Sequence, residues 1–300
     1  MALIENHFGE FAALATAFFW TISALAFESA SRRLGSLAVN ILRLAIGFVF
    51  LTLLIYFRRR ILFPADATVE NWFWLSLSGL VGFVFGDLFL FKSYTIIGSR
   101  FSMLIMTLVP PMTALFGWII IGEYLTLLNF LGMTLTFMGI GLAIFSRHSP
   151  DEKLTLKLAP VGILYAVGGA VGQALGLVLS KLGMKDYDPF SATQIRIIAG
   201  IAGFALLVTV LKRWRSVRSA THDKAGMKTL SVGAFFGPFL GVSFSLLSVK
   251  YTKTGIASTI MALVPVFILI PAILLYKQKV TLAEIAGSVI SVCGVALFFL

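Results

Sequence analysis

Long apolar stretches run through the whole chain, separated by short polar connections. Each is about as long as a helix needs to be to cross a hydrocarbon layer ~30 Å thick. In lipid a spanning segment must satisfy its own backbone hydrogen bonds, so only helices and closed barrels are possible. The stretches lack the alternation of apolar and polar residues that barrel strands show. The sequence therefore predicts an all-α polytopic membrane protein.

Ten spans are predicted, each placed to within about three residues. They cover residues 9–28, 37–57, 72–93, 99–121, 126–145, 159–180, 189–211, 230–249, 256–276 and 281–300. Only 12% of the residues are charged, which is roughly half the share in a soluble domain. The net charge of +11 comes mostly from residues between the spans, where anionic headgroups attract them. We therefore expect membrane lipids, and no nucleic acid, as partners.

The two halves of the chain repeat one another in sequence. A shift of 155 residues aligns Pro110 with Pro265 and Gly82 with Gly237. The same shift aligns further identical pairs: Met106 with Met261, Thr126 with Thr281, Gly86 with Gly241, Gly132 with Gly287, and Gly139 with Gly294. A shift of 153 aligns Arg43 with Arg196. We therefore divide the chain into two five-helix repeats, 1–148 and 149–300.

Each repeat holds an odd number of helices, so the second repeat must enter the membrane in the opposite sense. Inverted repeats of this kind are typical of transporters that alternate access to a site near the membrane midplane. The sequence has no Gly-rich phosphate loop, so we expect no direct ATP drive. Acidic residues within the spans are too few for a proton relay, which leaves facilitated diffusion and proton coupling both open.

Several residues match the pattern of a known superfamily. They are Trp20, Pro110, Gly122-Glu123, Gly132 and Gly139 in the first half, and Pro265, Gly287 and Gly294 in the second. Residues 8–145 and 159–300 resemble the paired EamA-type domains of the drug/metabolite transporter superfamily. In the second copy, Lys277-Gln278 stands where the family has Gly-Glu.

Within that superfamily the chain most resembles bacterial inner-membrane exporters of amino acids, including aromatic amino acids and threonine. The resemblance implies that helices 1–4 and 6–9 surround a central cavity, with helices 5 and 10 at the periphery. It also implies a small-molecule substrate and no bound cofactor or nucleotide. We expect the protein to act as a monomer.

Polar and aromatic side chains at mid-membrane depth are the candidates for substrate contacts. Trp20 and Ser23 share one face of the first helix, although helix packing is the alternative role. Phe83 and Asp87 lie in the third span, and Asp87 could bind a substrate amine or a proton, or pair with Arg43. The remaining candidates are Tyr165, Gln173 and Ser245. Such groups could hold a zwitterion while Phe83 and Trp20 cover its apolar side.

Two prolines and two glycines are candidate gating residues. Pro110 and Pro265 interrupt helices 4 and 9, and helix breaks of this kind often mark gates in transporters. A static kink that only shapes the bundle is the alternative. Gly82 and Gly237 belong to stripes of small residues, which let helices approach closely and would also let them slide.

An enzyme and a carrier of larger anions would each need residues of their own within the spans. An intramembrane enzyme needs a carboxylate pair or a nucleophile beside a base, and the sequence shows no such cluster. The three histidines lie outside the spans and far apart, so no metal site is predicted.

A translocator of lipid-linked or nucleotide-sugar substrates would need several basic residues lining its cavity. Only Arg43 and Arg196 qualify, and we interpret both as snorkelling to headgroups.

Ten spans place both termini on the same side of the membrane. The resemblance implies the bacterial inner membrane with cytoplasmic termini, and we adopt that orientation. The loop charges favour the reverse, because the basic segment Lys212–Lys228 then lies outside, against the positive-inside rule.

Overall fold

The computed structural model describes residues 6–145, 160–264, 266–267 and 281–299, and all regular structure within them is helical. The helices are α1 (Phe8–Leu34), α2 (Ser36–Arg59), α3 (Val69–Gly79, continuing through Leu80–Gly86 and Asp87–Met106), α4 (Val109–Ile121), α5 (Leu127–Phe145), α6 (Pro160–Met184), α7 (Pro189–Val210), a surface helix (Trp214–Ala220), α8 (Lys224–Ala234, continuing through Phe235–Gly241 and Val242–Tyr251), α9 (Thr254–Met261) and α10 (Leu282–Ala296, then a 3₁₀ turn Leu297–Phe299). Within the described residues, seven stretches are long and apolar enough to cross a membrane, and α4 and α5 supply shorter apolar helices.

Local sequence sets where the helices begin and turn. Thr68 caps the start of α3 in a capping box with Asn71, and the Asp188 carboxylate accepts from the Ser191 amide at the start of α7. Such caps satisfy backbone donors that no helical partner reaches. Gly35 joins α1 to α2 in one residue because its φ of 82° is open to glycine. These signals fix where each of these helices begins.

The boundary between α3 and α4 differs from the prediction. We expected a break between residues 93 and 99, but α3 continues to Met106 and the break falls at Thr107 and Leu108. The physical reason is Pro110 with Pro111. Neither proline has an amide hydrogen to donate to the preceding turn, so the helix ends there and α4 starts with both prolines in its first turn. The predicted span 256–276 lies partly outside the described residues.

The packing of equivalent helices confirms the inverted repeats. A Cβ placed at Gly132 of α5 would lie 2.9 Å from the Gly294 carbonyl oxygen of α10, and one at Gly294 would lie 2.8 Å from the Gly132 oxygen. Further along α5, Gly139 meets Gly287. The residue numbers rise along α5 where they fall along α10, so these two helices are antiparallel. Helices α2 and α7 are also antiparallel, because Gly47 contacts Ile197 and Gly200 contacts Leu44.

The repeat also appears in the backbone itself. Leu80–Gly86 in α3 and Phe235–Gly241 in α8 are both π-helical, and a shift of 155 residues superimposes one segment on the other. A π-helical turn inserts an extra residue into the helix and is frequently found at functional sites. The shift that aligned the sequence repeats therefore also aligns two uncommon backbone features at the centre of the bundle.

Each half packs its third helix against the first helix of the other half. Along α3 and α6, Gly82 faces Gly176 and Gly86 faces Gly172, so a Cβ on either α6 glycine would lie within 2.8 Å of an α3 Cα atom. Ser78 adds a hydrogen bond to the Gly176 carbonyl at 2.6 Å. Small residues and interhelical hydrogen bonds are the usual means of helix association in lipid. Helices α8 and α1 form the equivalent contact in the other half.

Candidate functional site

A buried ionic cluster lies directly after the first π-helical segment. Asp87, the residue that follows this segment, is 6% exposed. One of its carboxylate oxygens pairs with Arg43 of α2, and the other accepts a hydrogen bond from the Gln173 amide of α6 at 2.8 Å. Gln173 also donates to the Gly82 carbonyl at 3.2 Å. The cluster thus joins α2 and α3 of the first half to α6 of the second.

Arg196 of α7 adds a second guanidinium to this cluster. It is 5% exposed, lies within electrostatic range of Asp87, and stacks over the Phe83 ring at 4.8 Å. Its Nε atom has no hydrogen-bond partner among the described residues. Among the side chains that the structure describes, the cluster therefore holds two arginines and one aspartate, which leaves one positive charge unbalanced. Ionisable groups inside a membrane bundle are costly and by default mark function.

The two arginines are related by the repeat, but the aspartate is not. Arg43 and Arg196 occupy matching places in α2 and α7, whereas the repeat partner of Asp87 is Val242, which is buried at 8% exposure. The repeat therefore supplies two cations here but only one carboxylate, and that carboxylate pairs with Arg43. The sequence interpretation of both arginines as snorkelling to headgroups is wrong, because Arg196 is enclosed and Arg43 is paired with Asp87. The 153-residue match between them was the signal that could have placed them together.

The remaining predicted contact residues lie apart from the ionic cluster. Trp20 packs against Gly241, and Ser23 is buried against Gly237, so both lie where α1 meets α8. Tyr165 lies two turns before Gln173 on α6, with its ring 5.4 Å from that of Phe89. Ser245 of α8 is 2% exposed and donates to the Val242 carbonyl at 2.7 Å. Of the seven predicted contact residues, the structure brings together Phe83, Asp87 and Gln173.

Three of the four predicted gating residues lie in the described part of the chain, at a helix break or in a π-helical segment. Pro110 is buried at the start of α4 rather than inside a continuous helix. Gly82 and Gly237 lie in the two π-helical segments, against α6 and α1 respectively. Pro265 falls outside the described residues.

One end of the bundle is tied by a polar network between the halves, and we call it the latch end. The Glu123 carboxylate, just after α4, accepts from Lys181 of α6 at 2.6 Å. It also accepts from the amide and hydroxyl of Thr254 at 2.7 and 2.6 Å, and so caps α9. Lys181 donates in addition to the Thr252 carbonyl at 2.7 Å. The sequence offered no sign of this network beyond the Gly122-Glu123 match.

Further pairs surround the latch end. Arg58 lies 3.6 Å from Asp188, and Lys185 lies 2.7 Å from Glu70. Tyr187 donates to Asp66 at 2.8 Å. Burial, together with that hydrogen bond, raises the pKa of Tyr187 to about 12. Each of these pairs joins the first half of the chain to the second, so the latch end is closed by charge and hydrogen bonding.

The opposite end, where α1 finishes and α8 begins, has a different character, and we call it the basic end. Arg33 holds both carboxylate oxygens of Asp223 at 3.0 and 3.1 Å, which keeps the pKa of Asp223 below its ordinary value. A cavity of about 750 Å³ opens beside this pair. Three further cations line it: Lys212, Arg213 and Arg215.

Comparisons with known proteins agree with this architecture. The sequence profile of the EamA-like transporter family matches residues 7–145 and again 160–300. The uncharacterized transporter YyaM of Bacillus subtilis (strain 168) is 26% identical over 222 residues, which is 72% of this chain and 70% of that protein. An uncharacterized transporter of Archaeoglobus fulgidus is 24% identical over 40% of this chain and 41% of its own length.

A solved crystal structure shares the fold. It superposes with a TM-score of 0.74 at 16% identity, over 98% of this chain and 96% of its own. Two profile matches, covering nearly all of the chain, coincide with the two antiparallel sets of helices. The chain is therefore a multi-pass membrane protein that belongs to the EamA-like transporter family of the drug/metabolite transporter superfamily.

Proposed function

We propose that this protein exports amino acids or related small zwitterions across the bacterial inner membrane by alternating access. The substrate would bind between the two halves, at Asp87, Gln173 and Arg196, with Phe83 along its apolar side. The halves would then rock about this site and expose it to one side of the membrane at a time.

The observation that carries this proposal is the unbalanced positive charge of the buried cluster. Arg43 and Asp87 neutralise each other, which leaves the Arg196 guanidinium to meet an incoming anionic group. A guanidinium matches the planar geometry of a carboxylate, which it can bind through two parallel hydrogen bonds. Asp87, already held by Gln173, offers a carboxylate to the substrate ammonium group. A zwitterion would thus satisfy both sites and leave the net charge of the cluster unchanged.

The same charge count argues against the alternative substrates. A nucleotide sugar or a lipid pyrophosphate brings at least two negative charges, whereas the cluster offers one unpaired cation. We propose transport rather than enzymatic catalysis as its function, because the family that matches both halves is one of transporters.

The other predicted residues keep proposed roles in the same cycle. Trp20, Ser23, Tyr165 and Ser245 would line the path once the halves separate. The helix break at Pro110, with Gly82 and Gly237 in the π-helical segments, would allow the movement. Pro265, expected from the sequence to interrupt helix 9, keeps the same proposed role. Cytoplasmic termini, a monomeric state and the division at residue 148 belong to this proposal as well.

Counterflow in proteoliposomes tests the proposal. Liposomes that contain the purified protein and are loaded with one unlabelled amino acid should take up the same amino acid in labelled form. The panel of amino acids tested covers aromatic, small and hydroxylated side chains. We expect Arg196→Gln to abolish counterflow while thermal stability stays equal or rises, because the variant keeps the neutral Arg43–Asp87 pair. A panel without any counterflow, or a fully active Arg196→Gln protein, would refute the proposed site.

A further inference from the structure

The cavity at the basic end is lined mainly by cationic side chains. Its volume is about 750 Å³, and its lining includes Arg33, Lys212, Arg213, Arg215 and Asp223. Four of these side chains are cationic and one is anionic. Arg33 is already engaged by Asp223, so the positive charges of Lys212, Arg213 and Arg215 are not balanced within the cavity. The cavity therefore carries a net excess of three positive charges.

The cavity lies at the edge of the lipid-facing surface. Helix α7 ends at Val210, which is 68% exposed, and the next residue, Leu211, is 50% exposed. Lys212 then adopts a φ of 54°, in the left-handed region, and so turns the chain out of the helix. Trp214 follows at 46% exposure, with its indole donating to Thr209 at 2.8 Å. An exposed tryptophan at the end of a span is typical of headgroup depth.

We propose that this cavity binds the phosphate group of an anionic phospholipid. Guanidinium groups bind phosphate oxygens through paired, charge-assisted hydrogen bonds, and basic clusters next to a span attract anionic headgroups. The exposed apolar residues at the end of α7 lie where the acyl chains of such a lipid would run. Arg33 comes from the first half of the chain and residues 212–223 from the second, so a bound headgroup would lie across the seam between the halves.

Thermal unfolding of the detergent-solubilised full chain tests this site. Phosphatidylglycerol added to the micelles should raise the unfolding temperature in a saturable way, whereas phosphatidylcholine should not. Inorganic phosphate is the second probe, because it carries the same phosphate oxygens without acyl chains. Saturation by inorganic phosphate alone would show that the site takes a free anion and would overturn the assignment to lipid.

One triple variant and a matched triple control locate the effect. Replacing Lys212, Arg213 and Arg215 together by glutamine should weaken the phosphatidylglycerol response at least about tenfold. The control replaces Arg218, Lys224 and Lys228 by glutamine, which removes the same charge from the same segment. None of these three residues lines the cavity, so the control should respond to phosphatidylglycerol as the parent protein does. Equal losses in both triple variants would refute a specific site.

Asp223→Asn provides the opposite test. The Gly226 amide donates a hydrogen bond to Asp223 at 3.0 Å, and an asparagine can still accept that bond and cap the helix. It also frees Arg33, so we expect saturation at a lower lipid concentration than for the parent protein. An unchanged or weaker response in Asp223→Asn would contradict the proposal. This test does not depend on transport, so it stands or falls separately from the proposed export function.

Discussion

Glu123→Gln should loosen the latch end of the bundle. The carboxylate of Glu123 accepts three hydrogen bonds, from Lys181 and from the amide and hydroxyl of Thr254, all between 2.6 and 2.7 Å. Its side chain is 13% exposed, and that of Lys181 is 26% exposed. A glutamine can keep one acceptor for Thr254, but it removes the negative charge opposite Lys181. Losing one charge-assisted hydrogen bond in this partly buried place costs about 2 kcal/mol.

That cost sets the size of the expected effect. About 2 kcal/mol corresponds to a roughly 30-fold increase in the population of opened molecules. Ser258 of α9 is 4% exposed and lies one turn beyond the latch, so a cysteine there reacts only when the end opens. In a background of Cys293→Ala, we expect maleimide to label Ser258→Cys up to about 30-fold faster when Glu123 is glutamine.

Glu70→Gln is the matched control. It breaks the pair with Lys185, whose side chains are 53% and 54% exposed, at the same end of the molecule and also between the halves. An exposed ion pair contributes at most about 1 kcal/mol, so the labelling rate should change little. If Glu123→Gln labels no faster than Glu70→Gln, the network at Glu123 does not hold this end closed.

Three further changes have defined outcomes. Gly172→Leu should lower the free energy of unfolding by about 1–3 kcal/mol, because a Cβ at this position would lie 2.7 Å from the facing helix. Gly141→Ala should leave the free energy of unfolding unchanged, because nothing lies within 4 Å of a Cβ there. Asp87→Asn should destabilise the protein by about 3–5 kcal/mol, measured by thermal unfolding, and adding Arg43→Gln should recover part of the loss. The raised pKa of Tyr187 stabilises the fold below pH 10, and this contribution is lost as the pH rises towards 12. Above pH 10 the free energy of unfolding of Tyr187→Phe should therefore decrease less steeply with pH than that of the parent protein.

The helical architecture could be predicted from the sequence because lipid leaves a spanning chain few alternatives. Span lengths, the 155-residue register and the odd number of helices together led to two inverted repeats. The break at Thr107 was misplaced because hydropathy locates polar loops, and residues 93–99 interrupt the apolar pattern without interrupting the helix. The decisive signal was the pair of prolines that follows.

The ionic cluster was predicted only in part. Asp87 and Gln173 stood out as polar residues within apolar spans, and a pair with Arg43 was one of the alternatives considered. Arg196 could not be assigned from its own helix, because periodicity does not say whether an arginine turns inward or reaches the headgroups. The latch at Glu123 depends on residues far apart in sequence, including Lys181 and Thr254. Contacts of that kind follow from tertiary packing, which no local pattern encodes.

Distance measurements at both ends of the bundle test the central claim, that the two inverted halves alternate access. In a Cys293→Ala background, one spin-label pair would replace Val69 and Asp186 at the latch end, and another would replace Ser36 and Thr221 at the basic end. All four positions are exposed. With the amino acid that gives the strongest counterflow, we predict that one distance lengthens as the other shortens. Distances that both stay fixed, or that lengthen together, would contradict alternating access between the halves.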